Sequence, residues 1–224
     1  MKPQKAMILA AGRGERMRPL TDSIPKPLLE VAGRPLIQHH IEALVQAGIQ
    51  ELVINHAHLG HLVEDFLGDG QRFGCRITYS PEGHGRALET GGGIFKVLDW
   101  FEGLPFLVVN GDIWTDMAYE EMDISEEFDA HLVMVDNPSH NPEGDFMLTD
   151  NLISETGSAK LTFSGIGIYQ PRLFKDCQPG KFPLAPLLKQ AMSGGRVSGE
   201  KYSGRWIDVG TPERLKKINE MLMQ

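Results

Sequence analysis

The sequence predicts an α/β fold: a Rossmann-like, mostly parallel, twisted sheet with helices on both faces. Two observations predict it. Four short apolar runs of strand length alternate with three stretches of helical periodicity before residue 111. The first run ends in glycines, as a buried parallel strand does when it turns into a loop. Consecutive β-then-α units of this kind are right-handed and place helices over a parallel sheet.

In chain order, residues 6–10 form the first apolar strand. Leu36, Ile37, Ile41, Leu44 and Val45 recur at helical spacing, and Gly48 is placed to end that helix. Residues 51–55 read as the second strand, and Leu59, Leu62, Val63, Phe66 and Leu67 as the face of a second helix. Residues 76–80 read as the third strand. Ile94, Val97, Leu98 and Phe101 predict a helix after a glycine run, and residues 106–110 a strongly apolar strand. Beyond this the pattern is less regular. Residues 131–135 and 161–169 read as strands, and 184–192 as a helix. Thr211-Pro212 reads as an N-cap followed by proline at the first helical position, opening a helix on Leu215, Ile218 and Leu222. This half is expected to add a smaller antiparallel region and a lid to the same sheet.

The 224 residues fit one domain, and 41% apolar residues allow a sizeable core. A net charge of −8 disfavours nucleic acid, which needs a surplus of Lys and Arg. Cys75 and Cys177 fit no zinc or redox spacing and read as two buried thiols in a reducing cytosol. No apolar run approaches the ~20 residues that span a bilayer, and Met1–Lys5 lead straight into the first strand without a signal peptide. The expectation is a soluble, cytoplasmic protein with no membrane partner.

Chemistry concentrates in the loop after the first strand, Leu9-Ala10-Ala11-Gly12-Arg13-Gly14-Glu15-Arg16-Met17-Arg18. Gly12 and Gly14 let the backbone turn its N–H groups toward an anion, and three arginines accompany them. Met17 stands where the dinucleotide fingerprint needs a glycine, and the Gly-Lys-Ser/Thr of the P-loop is absent. Alone, the loop is equally an ordinary strand-to-helix turn. In Pro25-Lys26-Pro27 the flanking prolines predict an extended Lys26 that can reach a phosphate; its bland alternative is a solvated loop lysine.

Asn110-Gly111-Asp112 ends the fourth strand, at the edge where open α/β sheets bind ligands. Asp112 there can hold Mg²⁺, which accepts carboxylate, phosphate and water oxygens. Asp208 lies in the apolar stretch Trp206-Ile207-Asp208-Val209, an odd place for an acid unless it is partnered. A turn-forming Asp112 and a capping Asp208 are the structural alternatives. His56, His58 and His61 cluster without an apparent fourth zinc ligand and read as a solvated loop and helix start.

Leu9-Ala10-Ala11-Gly12-x-Gly14-x-Arg16-Met17, followed by Pro19-Leu20-Thr21 and Pro25-Lys26-Pro27-Leu28, resembles the signature of the sugar-1-phosphate nucleotidylyltransferases. Gly111-Asp112 and Trp206-x-Asp208-x-Gly210-Thr211 match further segments, so the resemblance runs from Leu9 to Thr211. It implies a GT-A-like nucleotidyltransferase fold in one domain over residues 1–224, with 1–112 mainly nucleotide-binding and 113–224 mainly sugar-binding. It implies small-molecule substrates (an NTP and a sugar 1-phosphate), Mg²⁺ on Asp112 and Asp208, and catalysis by Arg16, Lys26, Asp112 and Asp208. Nucleotide contacts fall to Leu9, Ala10, Ala11, Gly12, Arg13, Gly14, Lys26, Pro81, Glu82 and Gly83. Sugar-phosphate contacts fall to Glu89, Thr90, Gly92, Asn110, Asp145 and Gly165.

Leu88-Glu89-Thr90-Gly91-Gly92-Gly93-Ile94, residues 53–57 and residues 162–166 resemble the branch of that family that acts on UTP and N-acetylmuramate 1-phosphate. Other sugars and bases stay open: mannose 1-phosphate with GTP, glucose 1-phosphate with UTP or dTTP, and a choline-phosphate cytidylyltransferase. A nucleotide-sensing regulatory subunit of the same fold stays open too. A glycosyltransferase is disfavoured, because Asp112-Ile113-Trp114 is no Asp-x-Asp motif. The sequence departs from the family in lacking a Glu-Lys-Pro sugar-phosphate segment near residues 153–161 and in carrying His84-Gly85-Arg86. Arg86 and Arg205 are candidates for a lactyl carboxylate.

Overall fold

The computed structural model describes residues 1–83 and 87–223. Along the chain the strands and helices are β1 (Lys5–Leu9), β2 (Glu30–Val31), β3 (Arg34–Pro35), α1 (Leu36–Gln46), β4 (Glu51–His56), α2 (Gly60–Leu67), β5 (Arg76–Pro81), α3 (Glu89–Lys96), β6 (Phe106–Asn110), β7 (Ile113–Thr115), β8 (Ala130–Val135), β9 (Phe146–Thr149), β10 (Leu152–Ser154), β11 (Lys160–Tyr169), α4 (Ala185–Ser193), β12 (Val197–Lys201), β13 (Trp206–Asp208) and α5 (Pro212–Leu222). The α/β class is the one expected; short strands such as β2, β3, β9, β10 and β12 were not read from the sequence, and of the two thiols expected to be buried Cys75 is buried and Cys177 half-buried.

The chain forms two compact units. One comprises residues 1–4, 88–108 and 121–204; the other 5–87, 109–120 and 205–224. Neither is a continuous half of the chain, and the boundary passes through β6.

In the second unit β1 pairs in parallel with β4, and β4 with β5, in a register of Leu9 opposite Asn55 and Asn55 opposite Ser80. The carboxyl ends of three strands therefore present Leu9, Asn55 and Ser80 side by side. The strands are near-continuous apolar runs, as a sheet covered on both faces requires: Ala6, Met7, Ile8, Leu52, Val53 and Ile54 are fully buried. Gly48 (φ 84°) ends α1, with its N–H on the Val45 carbonyl. Thr211 caps α5 by accepting the Arg214 N–H, with Pro212 at the first position, as the sequence predicts. A cluster of Val31, Leu36, Trp114, Val209 and Ile218, backed by Ile207, Leu215, Met221 and Leu222, fixes α5 against the antiparallel pair β7–β13.

In the first unit β8 pairs antiparallel with β11 and parallel with β12, and β9 and β10 form an antiparallel edge. This is the antiparallel region expected of the later chain. The helix predicted to follow the glycine run instead contains it. A Cβ on Gly91 would lie 2.6 Å from the Phe182 ring, and one on Gly92 would lie 2.2 Å from the Gly180 carbonyl. Close packing of segment 180–182 therefore overrides glycine's weak helix propensity.

Candidate active site

The loop that leaves β1 is braced from within. Gly14 takes a left-handed conformation (φ 69°), and its carbonyl accepts from the Met17 N–H at 2.9 Å and the Thr21 hydroxyl at 2.8 Å. Thr21 is fully buried, and its own carbonyl accepts from Arg13 Nη1 at 2.9 Å and lies 2.9 Å from His58 Nε2. Over Gly12 the space is open: nothing stands within 4 Å of an added Cβ. The three arginines expected to cradle phosphate divide. Arg13 and Arg18 are engaged with Glu15 and Asp22 inside the loop. Arg16 reaches another group.

Lys26 opens a 3-10 turn, Lys26–Leu28, rather than the extended stretch expected, with Pro25 extended before it. The Leu28 and Leu29 N–H groups bond back to Pro25 and Lys26 and draw the segment into a turn. This buries the lysine to 7% exposure and aims Nζ at Asp112 Oδ2, 2.7 Å away. The bland expectation of a solvated lysine does not hold. Lys26 Cβ is also 3.4 Å from where a Gly14 Cβ would be, so the glycine turn and the lysine adjoin.

Asp112 sits in the turn between β6 and β7. The Gly111 N–H bonds to the Leu9 carbonyl at 2.8 Å, and a Cβ on Gly111 would meet that oxygen at 2.8 Å, so only glycine brings this turn against β1. Asp208 pairs with Ile113 across β7–β13, and the Val209 N–H donates to the Asp112 carbonyl at 2.8 Å. Two acids 96 positions apart in the sequence thus occupy adjoining backbone positions. Asp208 Oδ2 accepts from Arg214 Nη1 at 2.8 Å. Around a Cβ built on Gly210 stand Arg214 Nη2 (2.4 Å), Asp208 Oδ1 (2.7 Å) and Arg16 Nη2 (3.1 Å), so one acid and two guanidinium groups converge there. Behind Asp112, His40 hydrogen-bonds the Ile113 backbone, and complete burial pushes its pKa down to about 4.

At the strand ends the Ala10 N–H donates to Asn55 Oδ1 at 2.8 Å, and Asn55 Nδ2 donates to Glu82 Oε1 at 2.7 Å. Glu82 is buried; Pro81 and Gly83 are exposed, Gly83 with φ 78°. Arg86 and the His84-Gly85-Arg86 segment lie outside the described residues. Arg205 is held by Asp116, which accepts its N–H at 2.7 Å and its Nε at 2.9 Å. His56 pairs with Glu64 at 2.7 Å, and His61 is exposed. Among the described residues no group of three or more His, Cys, Asp or Glu side chains could by itself hold a metal ion.

Asn110 ends β6 in this same unit. The other sugar-phosphate candidates belong to the first unit. Glu89 opens α3 with φ 61° and pairs with Lys181 at 3.4 Å. Thr90 follows it on the helix, and the Gly92 N–H bonds to the Phe182 carbonyl. Asp145 accepts from the Phe163 N–H at 2.8 Å and from Asn141 Nδ2 at 3.2 Å, which fastens its loop to β11. Gly165 (φ 83°) lies where the β8–β11 register shifts.

Sequence reasoning did not find Thr21, His40, Asn55 or Arg214 as supports of these groups. Asn55 alone carried a signal: a polar residue closing a buried apolar strand at the sheet edge where ligands bind.

The nucleotidyl transferase family model matches residues 5–146. The chain is 54% identical over 97% of its own length and 97% of the relative's to an N-acetylmuramate alpha-1-phosphate uridylyltransferase of Neisseria meningitidis. It is 37% identical, over 94% and 93%, to the enzyme of that name from Caulobacter vibrioides. Among solved structures, HddC of Yersinia pseudotuberculosis complexed with GMP-PN superposes with a TM-score of 0.79 at 22% identity, covering 98% and 99% of the two chains, which speaks for the fold. No helix among the described residues is long and apolar enough to cross a membrane. With the family model spanning more than half of the sequence and relatives matched end to end, this chain belongs to the nucleotidyl transferase family.

Proposed function

We propose that the chain transfers UMP from UTP to a sugar 1-phosphate, N-acetylmuramate 1-phosphate, and releases pyrophosphate. The observation that carries this reading is the 54% identity along both whole chains to a relative whose name states that activity. The presence of Arg16, Lys26, Asp112 and Asp208 together favours a working enzyme over a regulatory subunit of the same fold.

The sugar phosphate, with a second pKa near 6, is already an anionic nucleophile at neutral pH. One of its oxygens attacks the α-phosphorus, the new P–O bond forms, and the bond to the bridging oxygen breaks, with pyrophosphate taking the electron pair. No general base is needed, so catalysis reduces to positioning and charge neutralisation. The loop from Ala11 to Arg16, whose backbone is open over Gly12, binds the β- and γ-phosphates. Lys26, carried on a rigid turn, stabilises charge growing on the α-phosphoryl oxygens. Leu9, Ala10, Pro81, Glu82 and Gly83 serve the nucleoside. Glu89, Thr90, Gly92, Asn110, Asp145 and Gly165 serve the sugar phosphate.

Asp112 and Asp208 suit Mg²⁺. Two carboxylates at adjoining backbone positions, in no cluster of three or more His, Cys, Asp or Glu among the described residues, suit a cation that takes its remaining ligands from substrate phosphates and water. Each acid has an oxygen on a cation, Lys26 or Arg214, which balances its charge, and carboxylate oxygens are the hard donors Mg²⁺ prefers. Bound there, Mg²⁺ would neutralise phosphate charge and orient the reacting groups. The test is pyrophosphate release from each of four NTPs against a panel of sugar 1-phosphates. Turnover confined to UTP and N-acetylmuramate 1-phosphate is expected. Equal or faster turnover with mannose or glucose 1-phosphate would replace that substrate.

A further inference from the structure

Asn55 makes two buried hydrogen bonds with opposite senses. It accepts the Ala10 N–H on Oδ1 at 2.8 Å and donates from Nδ2 to Glu82 Oε1 at 2.7 Å. A backbone N–H can only donate, so the first bond fixes which way round the amide stands. The other end is then a donor, and Glu82 has to meet it with an accepting oxygen. The Glu82 N–H bonds to the His56 carbonyl at 2.8 Å, so both its main chain and its side chain are tied to β4. Asn55 is 3% exposed and Glu82 8%, so turning the amide over would break two bonds that water cannot replace.

We propose that Asn55 is the positioning residue for nucleobase selection. Through the relay Ala10–Asn55–Glu82 it holds the Glu82 carboxylate in the accepting role. It thereby favours a base whose ring edge offers an N–H, as uracil does at N3, over one that offers a lone pair there, as cytosine does. This rests on the nucleotide-binding role proposed for residues 81–83. A carboxylate has roughly four lone-pair sites, so the group can accept from Asn55 and from a base at the same time. The same Asn55 bonds the N–H at the root of the phosphate loop, which ties base selection and phosphate seating to one side chain.

Two variants test it, with UTP and CTP binding read by titration calorimetry on the whole chain with Mg²⁺. In Glu82→Gln the side chain keeps its shape and Asn55 Nδ2 still claims an acceptor. The glutamine oxygen therefore turns to Asn55, and its NH₂ meets the base. The CTP-to-UTP affinity ratio is expected to rise about a hundredfold. In Asn55→Leu/Glu82→Gln the glutamine is released, and the rise is expected to shrink below about tenfold. An unchanged ratio in Glu82→Gln, or the same rise with and without Asn55, overturns the proposal. Glu82→Gln keeps every bond of the relay and decides alone if the double variant does not melt cooperatively. A wild type that binds UTP and CTP equally ends this inference and leaves the transfer reaction standing. A wild type that binds UTP selectively but transfers to no sugar 1-phosphate does the reverse.

Discussion

The Lys26 ammonium stands 2.7 Å from the Asp112 carboxylate, and the two differ in burial: the lysine side chain is 8% exposed and the aspartate 42%. The cation is set in the scaffold and the acid faces outward, so a partner arriving at Asp112 meets a charge already paired and oriented. Asp112→Asn and Lys26→Ala are each expected to cut turnover about a hundredfold or more, measured as pyrophosphate release at saturating UTP. Near-normal turnover in either would remove that residue from the reaction. In Asp112→Ala the lysine loses its partner beside solvent, at a cost of about 1–3 kcal/mol in urea unfolding.

Gly210 is the point where Asp208, Arg214 and Arg16 meet, and a methyl group there would sit 2.4 Å from Arg214 Nη2 and 2.7 Å from Asp208 Oδ1. These are the ends of flexible side chains, which can move apart. Gly210→Ala is therefore expected to melt within a few degrees of the wild type while losing activity about tenfold or more, because preorganised charge is spread. Equal losses of stability and activity would place Gly210 in the fold alone.

Thr21 braces the loop through its hydroxyl and receives Arg13 and His58 on its carbonyl. Thr21→Val keeps the shape but leaves the Gly14 carbonyl with only the Met17 N–H. A loss of about 1 kcal/mol in unfolding free energy is expected, with a raised KM for the nucleotide and a smaller change in kcat. A kcat loss at constant KM would speak against a role in seating the nucleotide.

His40 is buried neutral, its pKa pushed down to about 4 from 6.5. The unfolded chain binds that proton first, so this contribution is complete above pH 6.5 and is lost as pH falls through the window to about 4. About 3 kcal/mol of pH-dependent stability follows. Urea unfolding across this range is expected to show a shallower pH slope in His40→Gln; parallel slopes would contradict it.

The fold was legible where periodicity is set by neighbours in the chain. The parallel strands, α1 with Gly48, and the Thr211-Pro212 cap all follow from local rules. Two of the elements read from local rules came out differently. The helix through Gly91 and Gly92 forms because residues 180–182 need backbone at close approach, and no local signal carries that. The Lys26 turn forms where flanking prolines alone argued extension. Asp112 and Asp208 could be named as separate acids, but their adjacency comes from β7 pairing with β13. Arg13 and Arg16 look alike in sequence; only the fold engages one with Thr21 and Asp22 and sends the other toward Gly210.

The most direct measurement mixes the purified chain with UTP, N-acetylmuramate 1-phosphate and Mg²⁺, and follows pyrophosphate and the UDP-sugar together. The proposed reaction predicts one pyrophosphate per UDP-sugar, both abolished by a chelator and both cut about a hundredfold or more by Lys26→Ala. Full turnover by Lys26→Ala, or pyrophosphate appearing without the UDP-sugar, would contradict it.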